Sequence, residues 1–196
     1  FVPGTLMMER LKHLRERGVR VRVLTNSLAS TDAPAAHAGY VRYRRDLLAM
    51  GVELHEMRAE QPAGGGGGGR GSAGLGSGGG GSKKGVSHAS LHSKAVFIDG
   101  RLAVIGSMNL DLRSHAKNSE VGLVIRSGAF ARAATALVER MMDRGSYLLE
   151  LRGRDRIVWR APPGAPFKDG TDEPGATLKQ RLLAGAIAPF APEEML

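Results

Sequence analysis

The sequence predicts an α/β domain in which a mixed β-sheet is flanked by helices. Segments with apolar residues at helical spacing alternate with runs of period-2 alternation over the first sixty residues, the pattern of a helix-strand-helix-strand unit. Composition agrees: of 196 residues 42% are hydrophobic and 24% are charged, which excludes a wholly disordered chain and a polytopic membrane protein. The longest apolar stretch, Leu182 to Ala191, is about half of the ~20 residues a membrane span needs, and it contains Pro189.

The first helix is expected over Thr5 to Arg17, where Leu6, Met7, Leu11 and Leu14 recur at helical spacing and Gly18 supplies a stop. Val19 to Leu24 alternates Val and Arg as a strand, and Asn26 to Ala38 reads as a loop carrying Thr31, Asp32 and Pro34. Tyr40 to Met50 returns to helix, Gly51 caps it, and Val52 to Met57 forms a second strand. Composition then changes abruptly, because the segment from Gln61 to Gly85 holds 14 of the 28 glycines and almost nothing that could join a core. This tract, 61–85, is expected to be a flexible insertion within one domain of residues 1–160. Its run Gly69-Arg70-Gly71-Ser72-Ala73-Gly74 fits the letters of a dinucleotide fingerprint, but neither a strand before it nor a helix after it is expected, so the run reads as low complexity.

Beyond the tract, Leu91 to Ile98 alternates as a strand and ends at Asp99-Gly100, a dipeptide suited to a type I′ hairpin, with Leu102 to Ile105 returning. Ser119 to Ile125 is a further strand, Ala129 to Glu150 a long helix, and Arg156 to Trp159 a weak last strand. The Pro-rich remainder, 161–196, is expected to be a C-terminal extension with a short amphipathic helix.

Charge narrows the partners without choosing among them. The 28 Lys and Arg against 19 Asp and Glu leave a formal charge of +9, which attracts nucleic acid, anionic lipid headgroups and phosphate-bearing substrates alike. Arg10, Arg15, Arg17, Arg20 and Arg22, then Arg42, Arg44 and Arg45, read either as solvated faces or as a surface for anionic membranes. His37 and Tyr40 read either as lining for a substrate mouth or as loop packing, and Met7, Met8, Met141 and Met142 as core filler. The absence of Cys removes disulfides, Cys-based zinc sites and thiol nucleophiles, and suggests a reducing compartment.

His92 and Lys94 lie two apart on an expected strand, so both side chains leave one face and can converge on one ligand. That pairing suits an anion: a neutral imidazole can attack phosphorus, while an ammonium neutralises a non-bridging oxygen. The run Gly106-Ser107-Met108-Asn109 follows the returning strand of the hairpin, which brings Ser107 and Asn109 toward the same sheet end as hydrogen-bond donors, with Gly106 permitting close approach.

Written out, His92-x-Lys94-x4-Asp99-x6-Gly106-Ser107-x-Asn109 resembles the motif of the phospholipase D superfamily at every specified position. The resemblance implies a half of the superfamily's fold, one of two pseudo-twofold repeats. It also implies a metal-free and cofactor-free reaction through a phosphohistidine, with the histidine of a second motif protonating the leaving alcohol. His92, Lys94, Asp99 and Glu120 are its implied catalytic group, with Ser107 and Asn109 binding substrate. Glu120 is similar to the downstream carboxylate that orients the histidine, and Asp99, in the turn, has the more structural place.

The motif occurs once, so the resemblance implies a second histidine supplied either by a missing N-terminal half or by a homodimer partner. His92 is accordingly either nucleophile or acid. The opening Phe1-Val2-Pro3-Gly4, with no Met, resembles the start of the second half of two-motif enzymes, so the chain is expected to begin mid-protein.

Leu24-Thr25-Asn26-Ser27-Leu28, His37-Ala38-Gly39-Tyr40, Tyr43 to Leu48 and the Glu173-Pro174 tail resemble the second half of C-type bacterial cardiolipin synthases and related phospholipase D-like proteins. This implies a phosphatidyltransferase that makes cardiolipin from phosphatidylglycerol and a second phospholipid, peripheral to the inner membrane on the bacterial cytoplasmic side. A phosphodiesterase acting on nucleic acid is a rival reading, weakened by aromatic residues at only 5% that do not alternate with the basic ones. An inactive half-site that only binds a membrane or a polyanion is another.

Overall fold

The computed structural model describes residues 1–62, 86–88, 90–107 and 120–187. Its elements run α1 (Gly4–Glu16), β1 (Arg22–Asn26), α2 (Pro34–Ala49), β2 (Glu53–Met57), β3 (Glu60–Pro62), β4 (Val86–His88), β5 (Lys94–Ile98), β6 (Leu102–Gly106), β7 (Gly122–Ile125), α3 (Gly128–Gly145), β8 (Ser146–Arg152), β9 (Arg156–Arg160) and α4 (Leu178–Ile187). The class is the expected one, α/β with helices flanking the sheets. The strands are divided among a four-stranded sheet ordered β1-β2-β8-β9, a three-stranded sheet β5-β6-β7 and the short pair β3-β4.

The four-stranded sheet is mixed because β1 and β2 are parallel and need a crossover, which α2 supplies, whereas β8 and β9 are antiparallel neighbours. Pairing with β2 sets the limits of β1, whose Arg22 lies opposite Glu53, so the strand runs later in the chain than the Val/Arg alternation indicates. The helix α2 begins at Pro34 rather than Tyr40, since proline is tolerated in a first turn whose N–H groups lack intrahelical partners.

The largest correction concerns 146–150, which the sequence assigns to the long helix. There α3 ends at Gly145, and Ser146–Arg152 is a central strand bonded on both sides, to β2 and β9. Two ladders and the burial of Tyr147 and Leu149 outweigh a helical pattern that is only local.

The core lies on one face of this sheet, where Leu54, Tyr147, Leu149 and Trp159 meet Leu11, Tyr40 and Leu47 of α1 and α2. The buried Glu56 side chain points into the same face and binds Tyr40 Oη at 2.9 Å and Trp159 Nε1 at 2.8 Å. Arg44 of α2 lies 3.0 Å from Glu56 and donates at 2.7 Å to Glu173, and His37 lies 3.6 Å from Glu173. His37 and Tyr40 are therefore buried packing rather than the lining of a substrate mouth, and Arg44, with its side chain 4% exposed, belongs to no solvated face. The neighbouring arginines are also engaged within the protein: Arg15 donates to Val19 O, Arg20 pairs with Glu53, Arg22 with Glu139 and Arg45 with Asp155.

Residues on the opposite face turn toward α3. His55 meets Ser146 Oγ at 3.3 Å, and that hydroxyl donates to Met142 O at 2.7 Å. Burial lowers the His55 pKa, and its bond to Glu53 opposes the shift.

The segment after β9 folds back, with Trp159 and Gly170 exchanging two backbone bonds of 2.9 Å and α4 packing on α2. The helix expected in the extension is thus α4, ending at Ile187. Beyond Pro62 the glycine-rich tract lies outside the described residues, as does the tail after Ile187.

Candidate active site

The three-stranded sheet carries the motif. Asp99 and Gly100 have φ of 50° and 61°, both left-handed as a type I′ turn requires, and Arg101 N–H closes the turn on Ile98 O at 2.9 Å. A two-residue turn alone would pair Ile98 with Arg101, but Ile98 pairs with Leu102, so Arg101 is an extra residue in the connection and the register places Lys94 opposite Gly106, which in turn lies opposite Gly122. A Cβ on Gly106 would come within 2.4 Å of Val121 O, so only glycine lets β7 lie this close beside the motif.

Strand β5 begins at Lys94, so His92 stands just before the strand rather than on it. The two still converge: Lys94 Nζ lies 3.2 Å from His92 Nε2 and 3.2 Å from His92 O. An ammonium has donors only, so in this contact the Nε2 lone pair accepts. That lone pair is the one a nucleophile or proton acceptor uses, and His92 is exposed, open to a large substrate.

At the same sheet end Ser107 extends the ladder, its N–H donating to Val121 O at 2.9 Å. The Ser107 hydroxyl accepts from Val121 N–H at 3.1 Å and donates to Glu120 Oε2 at 2.5 Å. The structure thus forms two pairs, His92 with Lys94 and Ser107 with Glu120, on adjoining strand ends. Asn109 lies outside the described residues. Asp99 is at the other end of β5, about 17 Å along the strand from Lys94 at the usual rise per residue. It shapes the hairpin and does not face the reacting group.

One further residue at this end escapes a reading by motif. Asn26, the last residue of β1, bonds the backbone of Leu91 twice, Nδ2 to Leu91 O and Leu91 N to Oδ1, each at 2.8 Å. Its sequence signal is a polar amide at a strand end, but the partner is 65 residues away.

One imidazole, one ammonium, one hydroxyl and one carboxylate gather at this sheet end, a set able to bind and attack a phosphate ester. Comparison with known proteins accords with this chemistry. The family model of the cardiolipin synthase, PLD-like domain matches residues 1–142, a stretch that contains every residue discussed above at this sheet end. The chain belongs to this family. This PLD-like domain is 36% identical over 159 residues to cardiolipin synthase C of Escherichia coli K12, covering 81% of this chain and 31% of that protein. It is 30% identical over 161 residues to an uncharacterized protein of Helicobacter pylori, covering 82% of this chain and 29% of that one. With cardiolipin synthase A of Edwardsiella ictaluri it shares 37% identity over 70 residues, 36% of this chain and 14% of that protein. The domain therefore spans a third or less of the length of these curated relatives. Among solved structures it resembles the phospholipase D family member Nuc of Salmonella typhimurium, with a TM-score of 0.47 and 16% identity over 74% of each chain.

Proposed function

We propose that the chain supplies one half of a phosphatidyltransferase site that makes cardiolipin from phosphatidylglycerol and a second phospholipid. The carrying observation is the His92 Nε2 lone pair held 3.2 Å from the Lys94 ammonium at an open sheet end, with the Ser107 hydroxyl and Glu120 on the adjoining strands. Membership of the family and the similarity to cardiolipin synthase C support the choice of lipid chemistry.

In this reading the donor phosphodiester binds with a non-bridging oxygen on Lys94. One histidine attacks phosphorus through Nε2, so that a P–N bond forms as the P–O bond to the leaving alcohol breaks, and a second histidine protonates that alcohol. The acceptor hydroxyl of phosphatidylglycerol then gives its proton back to the second histidine and attacks phosphorus, and the P–N bond breaks to restore the imidazole. Ser107 and Asn109 bind substrate oxygens, and Glu120 fixes Ser107. His92 takes one of the two histidine roles; the other histidine comes from an N-terminal half or a second copy of this chain.

A supporting surface exists for that partner. On β5, Val96 and Ile98 share the Lys94 face, and Val124 lies in their row on β7, and the three are 41%, 45% and 55% exposed. No helix among the described residues is long and apolar enough to cross a membrane. In this reading the chain meets lipid at a peripheral position on an anionic bilayer, on the cytoplasmic side of the inner membrane.

The test is lipid mass spectrometry after incubating the chain with phosphatidylglycerol vesicles, with and without phosphatidylethanolamine, beside a His92→Ala control. Cardiolipin that forms and vanishes in the control supports the reading. Product that persists in the control refutes it.

A further inference from the structure

We infer that Asn26 is a positioning residue for His92, acting through the backbone of Leu91. The inference rests on the role proposed for His92. Among the described residues the four-stranded and three-stranded sheets share no ladder, so the segment leading into β5 needs its own reference point. Asn26 provides it: its amide faces the Leu91 peptide groups and completes two bonds of 2.8 Å, as a neighbouring strand would, one residue before His92. The amide can be oriented only one way, because turning it over would set two donors and two acceptors face to face.

Asn26 is itself held firmly. Its backbone is the last of the β1 ladder, opposite Met57, and the Met57 carbonyl receives Ser27 N–H at 3.3 Å and the Ser30 hydroxyl at 2.9 Å. Ser30 Oγ also lies 3.3 Å from Asn26 Oδ1. The rigid end of β1-β2 thereby sets where the Leu91 peptide lies, and Leu91 sets where the imidazole starts. Bonding at two points fixes rotation as well as distance, which suits a group whose lone pair must meet phosphorus in line.

The chemistry gives a test that distinguishes positioning from mere support. In an N26D variant the ionised carboxylate still accepts from Leu91 N–H but faces Leu91 O with no proton to give. Protonated, the carboxyl reproduces both bonds. We expect N26A to lower turnover of phosphatidylglycerol vesicles by about 10- to 100-fold at saturating lipid, with KM and melting temperature little changed. For N26D we expect the same loss at pH 7, and a ratio to wild type that recovers as pH falls toward about 4.

A second measurement does not depend on turnover. In the histidine-labelled full chain, with the His92 signal identified from its absence in H92Q, the ring resonances should shift or broaden in N26A and stay fixed in an R154A control. Unmoved His92 resonances in N26A, or an N26D ratio flat with pH, would overturn the positioning role. A wild-type chain without turnover whose His92 signal moves in N26A would leave the positioning intact and reject only a site completed by a second copy of this chain.

Discussion

The Glu173 carboxylate, near the C-terminal end of the described chain, accepts a 2.7 Å bond from Arg44, whose guanidinium also lies 3.0 Å from the fully buried Glu56. One arginine thus bridges two carboxylates, one in the central sheet and one in the segment that folds back over α2.

Glu173 gives this arrangement a pH signature. Burial pushes its carboxyl up, but His37 and the Arg44 charge outweigh burial and hold it at about 2. A carboxyl depressed in the folded state stabilises fully above its ordinary value near 4.5, and the contribution is lost as pH falls toward 2. Wild type should exceed Glu173→Gln by up to about 3 kcal/mol in urea unfolding at pH 6, the gap closing between pH 4.5 and pH 2. A gap independent of pH would remove the charge from the explanation.

Glu56 is the costlier residue to lose. Burial and Glu173 raise its pKa while Arg44 and Trp159 oppose the rise, so it is stable as an anion only with its donors in place. Glu56→Ala leaves the Tyr40 hydroxyl and the Trp159 indole without their acceptor in the core and Arg44 with Glu173 as its remaining carboxylate, and should destabilise by about 3 to 5 kcal/mol. Chemical denaturation followed by Trp159 fluorescence reads this directly, the chain having one tryptophan.

Gly106→Ala drives a methyl into the Val121 carbonyl, a rigid obstacle at 2.4 Å. The expected cost is about 1 to 3 kcal/mol, with faster amide exchange at Gly122 and Val124 and loss of the Ser107–Glu120 bond. Unchanged exchange in β7 would mean that the strand accommodates the methyl.

Lys94 should matter to turnover and hardly to stability, because among the described residues its amine bonds only His92. Lys94→Met should lower phosphatidyl transfer by about 10²- to 10³-fold and leave the melting temperature within a degree or two. Equal losses of activity and folding would place Lys94 in the scaffold.

Asp99 separates a motif residue from a reacting one. With φ of 50°, Asp99→Gly relaxes the backbone and should preserve turnover per folded molecule, whereas Asp99→Val should destabilise the hairpin by about 1 to 2 kcal/mol. A large loss of turnover in a fully folded Asp99→Gly variant would restore a chemical role.

These residues show what the sequence makes legible. The hairpin and its glycines were readable because their causes are local: Asp99-Gly100 fixes a turn, and the turn fixes which strand ends meet. His92 and Lys94 were readable as a pair for the same reason, even though His92 precedes the strand. Strand β8 was not, because its helical pattern is local while its partner β2 lies far back in the chain. Arg44 looks like a solvated charge until α2 is laid on the sheet, where it meets Glu56. Asn26 remained hidden because hydrogen bonding to a peptide group leaves no trace in the partner's side chain.

The helix α3 bears on both sheets, with Arg132 lying against Gly100 at the hairpin and Met142 bonded to Ser146 where β8 begins. It behaves as a shared axle between two plates. Among the described residues the larger plate is clamped from both sides and the smaller, with Lys94 and Ser107 at its end, from one. Loosening the axle lets the smaller plate swing free while the other stays seated, so such a chain could pass every test of folding and still be unable to aim His92.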